Sequence, residues 1–263
     1  YVADAYNHRV QVFGSRGEFI AAWGSQGIDP GKFQGPVGIT ISDAGNVFVA
    51  DSGNNRVQQF EGSGQFLGQW GLQGTSDGQF STPWAIALTA EGYVYVADAG
   101  IPRVQSFTQK GEYRFTFANL RLSAPGGLAV SADGNVLAAD FALSAILVLS
   151  PEGRRIATLG GQGKGNGQFQ TLQDLAVDGA GSLYVADTGN NRVQKLDSTG
   201  KYLSQWGEFG AQNGQFVTPL GIAVGPSGRV YVADSGNYRI QVFDSSGLFV
   251  AAWGSRGNGN GQF

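Results

Sequence analysis

With 263 residues, 41% of them hydrophobic and 12% aromatic, the chain has ample apolar material for a core, which excludes a disordered chain despite its 43 glycines. A formal net charge of −3 excludes strong non-specific attraction to polyanions. The absence of cysteine excludes disulfides and thiolate sites, and no run approaches the roughly 20 consecutive apolar residues of a membrane-spanning helix.

In chain order, the first element is Tyr1–Asp4, which ends on a tripeptide that returns throughout: Ala-Asp preceded by Val or Ala. Its aspartates are Asp4, Asp51, Asp98, Asp140, Asp187 and Asp234, at intervals of 47, 47, 42, 47 and 47 residues. A fixed period of this length means stacked supersecondary units. Such units bury their faces against each other and form one body, so a single domain over 1–263 is expected. The units are a partial one, 1–34, and then 35–81, 82–124, 125–170, 171–217 and 218–263. No leader pattern is visible, and the chain opens in mid-repeat without Met, so its natural beginning is expected to lie outside this sequence.

The first unit supplies three strand-like runs, Tyr1–Asp4, Arg9–Phe13 and Phe19–Trp23. The last is the clearest full unit, with Gly221–Val224, Val230–Ala233, Arg239–Phe243 and Leu248–Trp253 separated by turn clusters such as Gly225-Pro226-Ser227-Gly228. Val, Ile, Tyr and Phe alternate in these runs, and glycine recurs too often for a useful helix. Four antiparallel strands per unit, repeated about six times, predict an all-β fold, a six-bladed β-propeller. With the strands of a blade named a to d from the inside out, the a–b and c–d turns share one end of the blade. The b–c loops and the long d–a connectors, among them Ser25–Gln34 and Leu72–Ser81, share the other. Long loops are where ligands are usually met. The first unit lacks strand a, so the blade holding the N-terminus is predicted to lack its innermost strand. Residues outside this sequence, or a strand from another protein molecule, would complete it.

The motif Pro-x-Gly-Ile-Ala-Val … Gly-x-Val-Tyr-Val-Ala-Asp-Ser-Gly-Asn-x-Arg-Val-Gln-x-Phe resembles the NHL repeat. The resemblance covers essentially all 263 residues and is closest in 35–81, 171–217 and 218–263. It implies six-bladed propellers that serve mainly as binding platforms and occasionally as enzymes, so fold does not settle function. By family habit it also implies a sensor or scaffold module of a bacterial-type extracytoplasmic protein. Peptide-amidating lyases resemble NHL propellers, but their catalysis depends on zinc-binding histidines, and this chain has only His8.

Arg9, Arg56, Arg103, Arg192 and Arg239 each follow a repeat aspartate by five residues. The spacing brackets a tight b–c loop in which the carboxylate reaches backbone amides or the guanidinium. Recurrence at equivalent places reads as a structural staple, because catalytic sites seldom repeat in every blade. The Gly-Gln-Phe elements at Phe80, Phe169 and Phe216, with Phe33 in a variant, read as plugs between blades. Trp23, Trp70, Trp206 and Trp253 read as packing at the ends of the d strands.

Function is expected where the repeat breaks. In unit 82–124, Trp84 and Ala85 replace the x-Gly of strand a, and in unit 171–217 Gln173 and Asp174 do so. The 42-residue interval shortens the connector Asn119–Ala124. The next b–c loop becomes Asp140-Phe141-Ala142-Leu143-Ser144-Ala145-Ile146, apolar and without its Arg. Trp84, Phe141, Gln173 and Asp174 are therefore the candidate ligand-binding residues, on a loop-rich face offered to a protein, peptide or small ligand. No catalytic residue, metal ligand or cofactor is assigned; calcium held by oxygens in a central channel stays open. One alternative is a lactonase- or lyase-like enzyme using a channel metal. Another is a single-stranded RNA-binding propeller, suggested by Lys110, Arg114, Arg121, Arg154 and Arg155. The acidic total charge and the placement of these residues on c–d turns and outer strands weigh against nucleic acid.

Overall fold

The computed structural model describes residues 1–117 and 122–263. Arg121 and the start of the connector Asn119–Ala124 lie outside the described residues. The fold is an all-β, six-bladed propeller of antiparallel blades, five of them four-stranded and one three-stranded. The protein packs as two compact units: Tyr1–Pro125 with Glu152–Arg154, and Gly126–Pro151 with Arg155–Phe263. Among the described residues, no helix is long and apolar enough to cross a membrane.

Unit one contains blade one, of β1 (Val2–Asp4), β2 (Arg9–Phe13) and β3 (Phe19–Trp23). Blade two is β4 (Pro36–Ile41), β5 (Val47–Asp51), β6 (Arg56–Phe60) and β7 (Phe66–Trp70). Blade three is β8 (Pro83–Leu88), β9 (Tyr93–Asp98), β10 (Arg103–Thr108) and β11 (Tyr113–Thr116). Blade one runs β1-β2-β3, without the innermost strand. Unit two takes in blade four, of β12 (Pro125–Val130), β13 (Val136–Asp140), β14 (Ala145–Leu149) and β15 (Arg155–Gly160). Blade five is β16 (Leu172–Val177), β17 (Leu183–Asp187), β18 (Arg192–Leu196) and β19 (Tyr202–Trp206). Blade six is β20 (Pro219–Val224), β21 (Val230–Asp234), β22 (Arg239–Phe243) and β23 (Phe249–Trp253). Strand a begins two residues earlier than the apolar run of the last unit indicates. Its proline takes the first strand position, where a missing N–H is tolerated.

Burial follows the position of each strand in its blade. The b strands β5, β13 and β17 are buried at every residue, as expected of strands covered on both faces. The outer strands β7, β19 and β23 alternate strictly between partly buried and exposed residues. Register shifts between c and d recur in every blade, as at Gln59/Phe60 and Val242/Phe243. Such bulges bend the strand and raise the local twist that a blade requires.

The core lies between neighbouring blades. In unit one, Phe48, Val57, Phe80, Ile86, Val94, Val96 and Phe107 form one cluster, and Val10, Phe33, Val47, Val49 and Phe60 another. The plug phenylalanines Phe33, Phe80, Phe169 and Phe216 are fully buried. Phe80 stacks at 5.5 Å on Phe107, Phe216 at 5.6 Å on Phe243, and the d-strand tryptophan joins each pair, Trp206 standing 5.7 Å from Phe243. The indole of Trp206 also lies over Gly247 in the c–d turn of blade six. That glycine has φ +91° and a Cβ there would come within 2.6 Å of the ring, so only glycine fits.

Candidate functional site

The recurring polar residues are consumed by the b–c loop and the connector beside it. In blade five the backbone leaves β17 through a 3-10 turn, Thr188–Asn190, and reaches Asn191 in the left-handed region, which asparagine tolerates. The turn sets Asp187 directly opposite Arg192 in the ladder. Asp187 Oδ2 accepts from Arg192 Nε at 2.7 Å and from Gln194 Nε2 at 3.1 Å. Oδ1 accepts from the backbone N–H of Gln170 at 2.7 Å, and Asn190 Nδ2 donates to both oxygens. The guanidinium of Arg192 then reaches the carbonyls of Gly165 and Gln168, and Gln194 donates to Gln168 as well. Asp187 is fully buried, and its charge is matched by one cation and several donors. Blade two repeats the set with Asp51, Asn54, Arg56 and Gln58, and blade six with Asp234, Asn237, Arg239 and Gln241.

The other blades show how the set degrades. In blade one Asp4 keeps Asn7, Arg9 and Gln11. In blade three Ile101 stands where Asn would be, and Arg103 Nε lies 3.8 Å from Asp98, too far for a hydrogen bond. Asp98 accepts instead from the N–H groups of Ser81 and Thr82. In blade four Ala145 and Leu147 replace Arg and Gln. Asp140 there accepts from Ala142 and Leu143 within its own loop. Reading the sequence alone identified the Asp and Arg of this staple and missed its Asn and Gln. The signal was present in the recurrent Ser/Thr-Gly-Asn-x-Arg-Val-Gln, whose polar residues fall at fixed offsets.

His8 occupies the left-handed position of blade one, at φ 55°. Its Nδ1 accepts the N–H of Gly35 at 3.0 Å, as Asn191 Oδ1 accepts that of Thr218 in unit two. Histidine and asparagine thus serve one structural purpose, tying a b–c loop to the start of the following strand a.

The candidate ligand-binding residues fall in both units. Trp84 stands half-buried on β8 in unit one, and a Cβ at Gly38 on β4 would come within 2.6 Å of its carbonyl oxygen. In unit two, Phe141 is 44% exposed on the b–c loop of blade four. Ser144, in the same loop, accepts from the N–H of Thr171 at 3.3 Å, which ties the loop to the start of β16. Gln173 and Asp174 follow on β16. Asp174 Oδ1 accepts from the N–H of Leu175 at 2.9 Å, and Oδ2 from that of Ile222 on β20 at 3.0 Å. The carboxylate so bridges the inner strands of blades five and six. On its other side it leans on Gly127 of β12, where any Cβ would overlap Oδ1.

Asp174 keeps some accessible surface, yet backbone closes around it on three inner strands, none presenting a cation. Burial pushes its carboxyl up to about 7, and the N–H groups of Ile222 and Leu175 pull weakly the other way. The folded pKa is raised above the ordinary 3.8, so the neutral carboxyl favours the fold. Its stabilising effect is complete below about pH 4 and is lost as pH rises through 7. Discounted for the remaining exposure, this linkage is worth roughly 2–3 kcal/mol. Urea unfolding across this pH range should show wild type losing that much stability relative to Asp174→Asn; parallel profiles would refute the assignment.

Among the described residues, no three His, Asp or Glu side chains converge as a metal site would require. Of the basic residues, Arg114 is folded onto the ring of Tyr93 at 3.5 Å and also bonds Ser106. Arg155 bonds Thr158 on its own strand.

The NHL repeat model matches residues 33–60, 169–196 and 216–243. Each match begins on a plug phenylalanine and ends on strand c, so it spans the connector end, the inner strands and the staple. The chain is an NHL-repeat β-propeller. No curated protein matches this NHL propeller significantly. Among solved structures it is similar to virginiamycin B lyase from Staphylococcus aureus, with a TM-score of 0.62 at 16% identity, over 82% of this chain and 68% of that one. It is similar to a chain of a nidogen/laminin complex, with a TM-score of 0.68 at 14% identity, over 87% and 83%. A gluconolactonase from Xanthomonas campestris matches with a TM-score of 0.61 at 18% identity, over 82% and 74%. At these identities the likeness shows the fold alone.

Proposed function

We propose that the protein is a single NHL propeller domain that works as a non-catalytic binding module, scaffold or sensor. Its b–c loops and connectors face a protein or peptide, with Trp84, Phe141, Gln173 and Asp174 among the contacts. One observation carries this reading: b–c loops and connectors expose large aromatic side chains in each unit. Tyr6, Phe141 and Tyr238 lie on b–c loops and Phe209 on a connector, exposed by 94%, 44%, 37% and 72%. Among the described residues, the exposed aromatics at the other end are Tyr1 and Tyr113, at 40% and 36%, and Tyr1 donates to the carbonyl of Gly62 in a c–d turn. Solvent-exposed aromatics are enriched as anchors in protein recognition. The likeness to a chain of a nidogen/laminin complex agrees with protein binding but does not carry it. The open edge of β1 is a further place where an incoming strand would pair.

The test is selection of displayed peptides on the immobilised protein, followed by titration of the enriched ones. Changing Trp84, Phe141 and Gln173 to Ala together with Asp174→Asn should weaken binding more than tenfold, the loss of even one anchor of about 2 kcal/mol. The control Leu248→Ala, in a c–d turn, should change nothing. Equal binding by both variants would sink the proposed face.

A second reading, a lactonase- or lyase-like enzyme with a metal near Asp174, has one observation in its favour. A carboxyl titrating near 7 suits general acid–base work. Model lactones incubated with added divalent metal should then open faster than in buffer, and Asp174→Asn should abolish the difference. Turnover no faster than in buffer dismisses this reading.

A further inference from the structure

The buried staple glutamines have partners that the staple itself does not require. Gln194 Oε1 accepts the N–H of Gly167 at 2.9 Å, Gln241 Oε1 that of Gly214 at 2.9 Å, and Gln105 Oε1 that of Gly78 at 2.9 Å. All three glutamines are fully buried. The residues preceding these glycines are Asn166, Asn213 and Asp77, all exposed on connectors. Asn-Gly is the step most prone to rearrangement through a cyclic imide, because glycine has no Cβ to hinder ring closure.

The chemistry is intramolecular. The glycine nitrogen loses its proton to solvent base and attacks Cγ of the asparagine. The new N–Cγ bond forms as the Cγ–Nδ2 bond breaks, and the departing nitrogen takes up a proton and leaves as ammonia. Water then opens the ring at either carbonyl, leaving aspartate or isoaspartate. From Asp77 the same ring forms with loss of water and opens again by hydrolysis. In each case the attacking nitrogen must surrender its proton and turn its peptide plane toward Cγ. A buried acceptor holding that N–H opposes both movements.

We infer that Asn166 and Asn213 are latent deamidation sites, held unreactive by Gln194 and Gln241. The same tie protects Asp77 from isomerisation through Gln105. The repeat therefore suppresses a chemical lesion at these connectors, with a side chain that holds the N–H of the attacking nitrogen. Blade two supports the division of labour: Gln58 makes the same bond to Gly31, but Pro30 precedes it and nothing there can cyclise.

The test is peptide mapping by mass spectrometry after prolonged incubation in mildly alkaline buffer. Wild type should keep Asn166 and Asn213 intact, while a synthetic peptide covering Ala211–Val217 deamidates. In Gln241→Leu, isoaspartate at Asn213 should accumulate about tenfold faster, the worth of one hydrogen bond of roughly 1.4 kcal/mol. Asn166 in the same molecules should stay protected. Gln194→Leu should reverse the pattern, exposing Asn166 and sparing Asn213. This reciprocity separates a local effect from general unfolding. A rise at both sites alike, a rise at neither, or wild-type Asn213 reacting as fast as the free peptide overturns the inference.

Discussion

Asp187→Ala is expected to destabilise the protein by about 3–5 kcal/mol, the loss seen when one partner of a buried ion pair is removed. The charge on Arg192, nearly enclosed, would keep its carbonyl contacts but lose its counter-ion. The N–H of Gln170 and the amides of Asn190 and Gln194 would lose their acceptor at the same time. Asp98→Ala should cost less, about 1–3 kcal/mol, because Arg103 already stands 3.8 Å away and only the N–H groups of Ser81 and Thr82 are orphaned. Urea unfolding midpoints of the two variants measure the difference. Equal losses would mean that the ion pair adds nothing beyond the backbone bonds.

Phe216→Ala is the second large effect, about 3–5 kcal/mol for an aromatic ring removed from a closed site. Phe216 is fully buried against Phe243 and shares a cluster with Tyr184, Val193 and Val232. Seven residues earlier in the same connector, Phe209 is 72% exposed, and the two are bridged through their backbones. Phe209→Ala should change stability by no more than about 0.5 kcal/mol, as surface substitutions usually do. Thermal unfolding of the pair distinguishes plug from surface anchor. A comparable loss for Phe209 would mean that the connector packs differently from the description above.

Most of the architecture was legible in the sequence, for identifiable reasons. The Ala-Asp period gives the blade count directly, and the three runs before Trp23 expose the short blade. Both depend on local pattern, which a repeat protein reiterates in every unit. The staple was half legible. Asp and Arg face each other across one tight turn, so their spacing reveals them. Gln194 and Asn190 also bond a connector 26 and 27 residues away, as do their equivalents in blades two and six, and spacing does not show such contacts. Asp174 stood out as a break in the pattern, yet its engagement with Ile222, 48 residues on, depends on neighbouring inner strands approaching at glycines. Arg103 shows the converse: its spacing is regular, but without an asparagine in the loop the ion pair opens.

The most direct measurement is native-state hydrogen exchange on Asp187→Ala. If the recurrent aspartates hold the connectors in place, the amides of Gly167 and Gln170 should exchange at least about tenfold faster in Asp187→Ala than in Phe216→Ala, a variant of similar global loss, while those of β5 exchange alike in both. Equal exchange of Gly167 and Gln170 in the two variants would contradict that role.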